Sequence, residues 1–326
     1  MVSRKRHFLP KYLLFGMFLG DFRSSLKTFA ILTLLCAAFT RPGTCMEPGK
    51  PVPIRVKGSF VIAAICKDGV IVASDSRGML KDRQGRRIAY YDTNQKIFPI
   101  GKKLIAGTGY ASINDPKISF LSALMSRFAQ DPLSQVDIKQ LPDAYFKYTR
   151  TVLARAGAES AAVQTLVFAG FGKGGPTLCL YQGESSHTTN CQFSGYLSSP
   201  KQRIVGLETV RGLSFAQAAH IMQQTIDDYA AAVEPGSVGG PVVIRTITIS
   251  KAQWFENPLH WPNWDTFTDL AKDYKNDLVP FHLMPGISRA ELDALIEEGA
   301  IWASLGQRSN SPKAGAPVIG SNHQGR

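Results

Sequence analysis

The sequence lacks the grouped cysteines and histidines that bind structural zinc. Its five cysteines and six histidines are scattered, and none shows metal-ligand spacing. It also lacks a block of lysine and arginine, because half of the net charge of +12 lies within residues 1–50, where eight basic residues face two acidic ones. No nucleic-acid-binding motif is recognisable. We therefore expect no metal, no cofactor and no nucleic-acid partner.

Long hydrophobic runs are absent as well. The longest, Thr28–Phe39, is too short for a bilayer span of about twenty residues but suits the apolar core of a signal peptide. Residues 1–45 are therefore predicted to be a targeting segment that exports the chain to the periplasm or the extracellular space. The alternative is a single membrane anchor, if this leader is not removed. Residues 46–58, rich in proline and charge, read as a linker or propeptide.

Two of the few cysteines, Cys179 and Cys191, flank a probable hairpin around the turn-rich residues 183–186. If the chain is exported, a cross-strand disulfide between them fits an oxidising compartment. Two unlinked buried thiols are an equally open interpretation.

The clearest pattern in the sequence runs from Lys57 to Arg77. Two apolar, β-rich runs flank the pair Asp68-Gly69, which is a strong signal for a tight hairpin. Both runs are nearly continuous hydrophobics, which predicts burial on both faces. Ser59 opens the first run and Asp75 ends the second. Because the two ends of an antiparallel hairpin lie side by side, we expect the hydroxyl and the carboxylate to be neighbours.

Three ordered blocks resemble the proteasome-type N-terminal nucleophile (Ntn) hydrolases. The first is the hairpin itself, with Gly-Ser before one strand and Val-Ala-Ser-Asp-Ser-Arg ending the other. The second, Asn94-Gln-Lys-Ile-Phe-Pro-Ile100, is similar to the family's segment that carries its catalytic lysine. The third, Leu104-Ile-Ala-Gly-Thr-Gly109, resembles the family's strand and glycine turn. The resemblance covers roughly residues 57–250.

The order of elements predicts an α+β fold in which two antiparallel sheets are covered by helices on both outer faces. The resemblance implies the same four-layer αββα sandwich, over residues 59–250. Residues 251–306 hold all four tryptophans and read as an aromatic-rich, helical C-terminal extension that packs as core rather than as a ligand platform. The tail, 307–326, is predicted to be disordered.

Local signals refine this prediction. Asp115-Pro116 is typical of a helix start, and Ser214 with Gln217 forms a capping box for a later helix. Residues 142–156 also show a helical stripe. A charged loop is expected over 78–87, and a further strand over 201–207 is one interpretation of that segment.

The resemblance also implies a catalytic set. Cleavage between Gly58 and Ser59 would expose Ser59 as nucleophile, with its own α-amine as base. Lys96 would tune the amine or the hydroxyl, Asp75 would hold Lys96, and the backbone N–H of Gly109 would stabilise the oxyanion. The reaction implied is cleavage of amide bonds in a peptide or protein substrate.

Two departures from the family favour other interpretations. Active members carry Asp-x-x-Ser-Gly-Gly before the last strand, whereas the matching place here, residues 234–240, reads Glu-Pro-Gly-Ser-Val-Gly-Gly. The family's Gly-Ser-Gly segment is represented only by Gln-Arg-Ile-Val-Gly-Leu-Glu at 202–208. A catalytically silent scaffold like a proteasome α-subunit, or an Ntn amidohydrolase for a small amide, therefore remains open. Homo-oligomers larger than a dimer are expected by the same resemblance, unless residues 251–306 cover the assembly face.

Overall fold

The computed structural model describes residues 55–308 except 58, 110–111, 114, 157–163, 184–185, 202, 234–236, 257–260 and 263. The described residues belong to one compact unit. The predicted targeting segment, residues 46–54 of the predicted linker, the cleavage-site residue Gly58 and the tail beyond 308 lie outside them. Among the described residues, no helix combines the length and the apolar character that crossing a bilayer requires.

The fold is α+β, with three antiparallel sheets where the sequence predicted two. The strands described are β1 (Arg55–Lys57), β2 (Val61–Cys66), β3 (Gly69–Ser74), β4 (Gly78–Lys81), β5 (Arg87–Tyr91), β6 (Ile97–Ile100), β7 (Lys103–Gly109), β8 (Gln164–Gly172), β9 (Gly175–Gly183), β10 (His187–Gln192), β11 (Tyr196–Ser199), β12 (Val243–Ile247), β13 (Ala252–Glu256) and β14 (His282–Leu283). The α-helices described are α1 (Leu121–Gln130), α2 (Leu141–Ala156), α3 (Phe215–Ala232), α4 (Phe267–Lys275) and α5 (Arg289–Arg308).

Sheet I, in the order β11-β2-β3-β12-β13, is built around the predicted hairpin. Every residue of β2 and β3 is buried, as the continuous apolar runs predicted. Gly69 closes the turn at φ +142°, where a Cβ would lie only 2.2 Å from the carbonyl oxygen of Ile247, so a side chain there has no room. The two faces of the hairpin therefore enter different cores, since successive side chains of a strand point in opposite directions.

Sheet II, in the order β10-β9-β8-β7-β6, packs against one face of sheet I. Val61 and Ala63 of β2 share a buried apolar cluster with Leu104 of β7 and Val167 of β8. The opposite face of sheet II packs on α1 and α2 through Leu124, Tyr145 and their neighbours. The opposite face of sheet I packs on α3 through Ala218, Met222 and Ile226.

The helix prediction at residue 214 is confirmed and the one at residue 115 is wrong. Ser214 and Gln217 form the expected capping box at the start of α3. Asp115 instead accepts hydrogen bonds from the amides of Lys117 and Ile118, at 2.7 and 3.3 Å, in an isolated turn, and α1 begins only at Leu121. The chain between is held by other bonds, including one from the Ser119 amide to the carbonyl of Asp265 at 2.7 Å, so it does not wind into a helix.

Sheet III has the order β1-β4-β5-β14, and its two central strands include most of the segment predicted to be a charged loop. Only residues 82–86 form a turn, and β4 and β5 pair on either side of it. The loop prediction was wrong because the apolar residues Met79, Leu80, Ile88 and Ala89 bury themselves between the charged ones. The strand considered at 201–207 is also not found in the residues described there, where Gly206 at φ +90° belongs to a turn.

The segment after residue 250 contributes to two sheets. Strand β13 pairs with β12, so sheet I continues past the boundary placed at 250. Beyond it, α4 and α5 pack on sheet III, and β14 pairs with β5. Trp264 is 5% exposed and packs edge-on against Tyr91, with the ring centroids 5.2 Å apart. This tryptophan is core, as predicted for the aromatic-rich segment.

Candidate functional site

Two short links between sheets carry the charged residues of the site. Residues 75–77 connect β3 of sheet I to β4 of sheet III, and residues 92–96 connect β5 of sheet III to β6 of sheet II. The links are bonded to each other, because the amide of Asn94 donates to the carbonyl of Ser76 at 2.9 Å. The site therefore lies where the three sheets meet.

Asp75 is the centre of this site. Its side chain is fully buried, and its Oδ1 accepts from the amide of Phe60 at 2.7 Å. Its Oδ2 accepts from the amides of Gly239 at 3.1 Å and Arg77 at 3.3 Å. A buried carboxylate costs free energy unless it is paired and hydrogen-bonded, and these donors meet that requirement.

Lys96 supplies the positive charge. Its side chain is 3% exposed, and its Nζ donates to Oδ1 of Asp75 at 2.7 Å. Burial lowers the pKa of the Lys96 ammonium below its ordinary value, and the charge and hydrogen bond of Asp75 act in the opposite direction. A lysine with a lowered pKa, held against a buried carboxylate, is suited to proton transfer.

The hairpin register brings Ser59 to this pair. Val61 lies opposite Ser74, so Phe60 faces Asp75, and the carbonyl of Phe60 accepts from the amide of Asp75 at 3.3 Å. Oδ1 of Asp75 binds both the Lys96 ammonium and the Phe60 amide. The ammonium is thus two hydrogen bonds away from the peptide link between Ser59 and Phe60. Ser59 itself is half-buried.

Gly109, the predicted oxyanion donor, is the last residue of β7, opposite Gln164 of β8. The same strand is joined to the site, because the amide of Gly107 donates to the carbonyl of Lys96 at 2.9 Å. Gly109 therefore lies two positions along the strand from Gly107, whose amide contacts the Lys96 backbone.

Three site residues were not predicted. Arg77 donates from Nε and Nη2 to the two carboxylate oxygens of Asp92, at 2.7 and 2.9 Å, and Gly239 contacts Asp75. The sequence drew attention to the glycine pair at 239–240 only as a departure from the family pattern. For Asp92 the available signal was its position directly after a strand, in the link that leads to Lys96.

The cysteine pair lies away from this site. Cys179 of β9 and Cys191 of β10 are directly opposite in the strand register, and their sulfur atoms form a disulfide. The disulfide closes the β9–β10 hairpin at the edge of sheet II. Of the two interpretations left open by the sequence, the structure contains the linked form.

Within the part of the chain that the structure describes, no three His, Cys, Asp or Glu side chains come together as a metal site would require. The arrangement places a buried carboxylate, Asp75, and a buried ammonium, Lys96, beside the start of β2, which Ser59 and its hydroxyl precede. Such a set can activate a nucleophile, provided that a proton acceptor is adjacent. Comparison of the sequence with protein-family models and with curated proteins finds no match.

Proposed function

We propose that this protein is a proteasome-type Ntn hydrolase that cleaves amide bonds in peptides with Ser59 as its N-terminal nucleophile. The observation that carries the proposal is the buried Lys96–Asp75 ion pair, bonded at 2.7 Å and attached through Asp75 to the amide that follows Ser59. The resemblance assigns these same three residues to catalysis.

The layering of the described elements supports the fold part of this proposal. Sheets I and II share one apolar cluster, α3 covers the free face of sheet I, and α1 and α2 cover that of sheet II. This succession is the one that the proposal requires of a four-layer αββα sandwich. Sheet III and the helices α4 and α5 are then additions to it.

Processing comes first in the proposed chemistry. The hydroxyl of Ser59 attacks the carbonyl carbon of Gly58, and the bond from that carbon to the Ser59 nitrogen breaks. The acyl group passes to the oxygen, the nitrogen takes a proton and becomes a free amine, and water then hydrolyses the ester. The products are a carboxylate on Gly58 and a chain that begins at Ser59.

Turnover repeats this attack on a substrate amide. The α-amine of Ser59 accepts the hydroxyl proton and passes it to the leaving nitrogen, after which water cleaves the acyl-enzyme. The positive charge of Lys96 lowers the proton affinity of the amine, and Asp75 holds the ammonium in place. The amide of Gly109 would donate to the oxyanion.

The segment before Ser59 favours an extended peptide as substrate. Strand β1 pairs antiparallel with β4, with Lys57 opposite Met79. In the processing step this segment is the acyl part of the bond that is cleaved. A substrate peptide whose acyl part follows the same path would pair with the edge of β4, a common mode of peptide binding.

The second candidate is a catalytically silent scaffold, and the same pairing favours it. Residues 55–57 are built into sheet III as an edge strand, so the chain is continued upstream of Ser59 by ordered structure. The absence of the family's Asp, and the altered spacing, in the 234–240 segment point the same way. A chain that is never cleaved would lack the free amine that the mechanism needs.

The intact mass of the purified mature protein decides between the two. We expect a chain that begins at Ser59, and we expect Ser59→Ala to retain the upstream residues. Ser59→Thr, which keeps a hydroxyl, serves as the control and is expected to be processed. Wild type should also hydrolyse members of a panel of peptide amides. A wild-type chain that retains residues upstream of Ser59 and shows no turnover would reject the hydrolase proposal in favour of the scaffold.

Location and assembly follow from the same proposal. The Cys179–Cys191 disulfide suits an exported protein, because disulfides persist in oxidising compartments. If the chain assembles as proteasome-like subunits do, light scattering at micromolar concentration will report a homo-oligomer larger than a dimer. A clean monomer would remove the ring arrangement and leave the proposed chemistry untouched.

A further inference from the structure

The turn formed by Gly239 and Gly240 is hydrogen-bonded to Oδ2 of Asp75, whereas Lys96 binds Oδ1 of the same carboxylate. The Gly239 amide donates to Oδ2 of Asp75 at 3.1 Å, and its carbonyl accepts from the amide of Ser76 at 3.2 Å. The Ser76 hydroxyl donates to the carbonyl of Pro241 at 2.7 Å. The turn is therefore attached to the Asp75 link at three points.

Arg77 and Asp92 stand against the outer side of this turn. Their ion pair is bidentate and half-buried. The guanidinium also lies over the ring of Tyr90, with its Cζ 4.0 Å from the ring centroid. A guanidinium held by a carboxylate on its edge and an aromatic ring on its face has little freedom to move.

The contact between the ion pair and the turn leaves no room for a side chain. A Cβ at Gly239 would lie 2.8 Å from Nη1 of Arg77, and a Cβ at Gly240 would lie 2.9 Å from Asp92. Both glycines also have positive φ, +149° and +72°, which L-residues rarely adopt. The turn is thus enclosed between Asp75 and the ion pair.

We propose that the Arg77–Asp92 ion pair is a positioning device that presses the Gly239–Gly240 turn onto Asp75 and thereby sets the place of the Asp75–Lys96 pair beside Ser59. The proposal rests on the proposed function of that site. It gives the glycine pair the role of a backbone donor to the buried carboxylate. It also assigns a purpose to Asp92, for which the resemblance gives none.

The same ion pair acts on Lys96 through its charges. Within the described residues, the charged groups that influence the pKa of the Lys96 ammonium are Asp75 and Asp92, which raise it, and Arg77, which lowers it. Because Arg77 and Asp92 act in opposite directions, removing one of them leaves the other uncompensated. The two single substitutions should then shift the pKa of the Lys96 ammonium in opposite directions. A loss of packing alone would not produce shifts of opposite sign.

The first test compares the pH profiles of kcat/KM for wild type, Arg77→Gln, Asp92→Asn and the double variant. Loss of the Asp92 charge favours the neutral form of a nearby amine, so the acid limb should move to lower pH, by up to about 1 unit. Loss of the Arg77 charge should move it to higher pH. In the double variant the limb should return towards its wild-type position. Its kcat should stay about 10²-fold below wild type, because the turn no longer holds the Asp75–Lys96 pair in place.

Asp82→Asn is the matched control, because Asp82 holds Arg86 in an exposed ion pair at the tip of the β4–β5 hairpin. It should change neither kcat nor the acid limb. Shifts of the limb in the same direction in Arg77→Gln and Asp92→Asn, or no shift in either, would overturn the proposal.

A second measurement does not depend on activity. Selective labelling of lysine side chains, with Lys96→Ala to assign the signal, follows the titration of Lys96 by NMR in the same variants. Hydrogen exchange of residues 237–243 should accelerate in both single variants and remain at the wild-type rate in Asp82→Asn. If wild type proves inactive while these two readouts behave as stated, the positioning role stands and the proposed function fails. Unchanged titration and exchange in an active protein would reject the positioning role alone.

Discussion

Replacing Lys96 by alanine should separate catalysis from folding at this site. The lysine is almost fully buried, and its ammonium forms an ion pair with Asp75 at 2.7 Å. Its removal leaves a buried carboxylate without a cation, although the three backbone amides that bond to Asp75 remain. Breaking a buried ion pair in this way costs about 3 kcal/mol of unfolding free energy. For a protein of this size that corresponds to a melting temperature lower by about 6–12 °C.

The loss of turnover should be much larger than the loss of stability suggests. A group that takes part in proton transfer contributes about 10²–10⁴-fold to the rate, and we expect Lys96→Ala to lose that factor in kcat. Lys96→Arg should fail nearly as badly. Arginine keeps the positive charge, but its planar fork does not fit a buried site shaped for an ammonium, so the charge would not occupy the same place beside Ser59.

Lys103→Ala is the matched control for this comparison. Lys103 is also partly buried, and its ammonium donates to the carbonyls of Ser134 and Val136, at 2.9 and 2.6 Å, so its role is to hold the backbone. It should lower the melting temperature while leaving kcat on a peptide-amide panel close to wild type. The reasoning is refuted if wild type is active and Lys96→Ala retains full turnover, whatever happens to its melting temperature.

Perturbations at three other places test the fold. Reduction of the Cys179–Cys191 disulfide, which spans 12 residues, should cost about 3 kcal/mol in thermal unfolding and leave kcat unchanged. Ser214→Ala removes the cap of α3 and should cost about 1 kcal/mol, measured by urea denaturation, whereas Ser214→Asp should restore most of it. Trp264→Ala opens a cavity between sheet III and the C-terminal helices and should cost about 3–5 kcal/mol in the same assay.

The sequence was most informative where local patterns were complete. The Asp68-Gly69 turn between two apolar runs predicted the β2–β3 hairpin and its burial, and the capping box at Ser214 predicted the start of α3. The pairing of Lys96 with Asp75 came from the resemblance, because no local rule connects residues that lie in different sheets. The hairpin register then explains why Ser59 lies beside them.

The remaining features depend on contacts far apart in the sequence. Residues 78–87 read as a charged loop until α4 and α5 provide an apolar surface for Leu80 and for Ile88 of the following strand. The turn at Asp115 looks like a helix cap, and only the bond from Ser119 to Asp265 shows why the helix starts later. Neither partner segment is identifiable from the local pattern. The contact of Gly239 with Asp75 likewise joins residues 164 positions apart.

Because the site lies where the three sheets meet, Trp264→Ala tests turnover as well as stability. Trp264 packs against Tyr91, the last residue of β5, and the next residue, Asp92, pairs with Arg77. A cavity at Trp264 lets the end of β5 shift, and the link that carries Asp92 moves with it. We therefore expect Trp264→Ala to lower kcat as well as stability. Leu141→Ala, which empties a buried position at the start of α2, should cost about 2–5 kcal/mol and leave kcat nearly unchanged. If both variants lose stability and neither loses turnover, sheet III does not support the site.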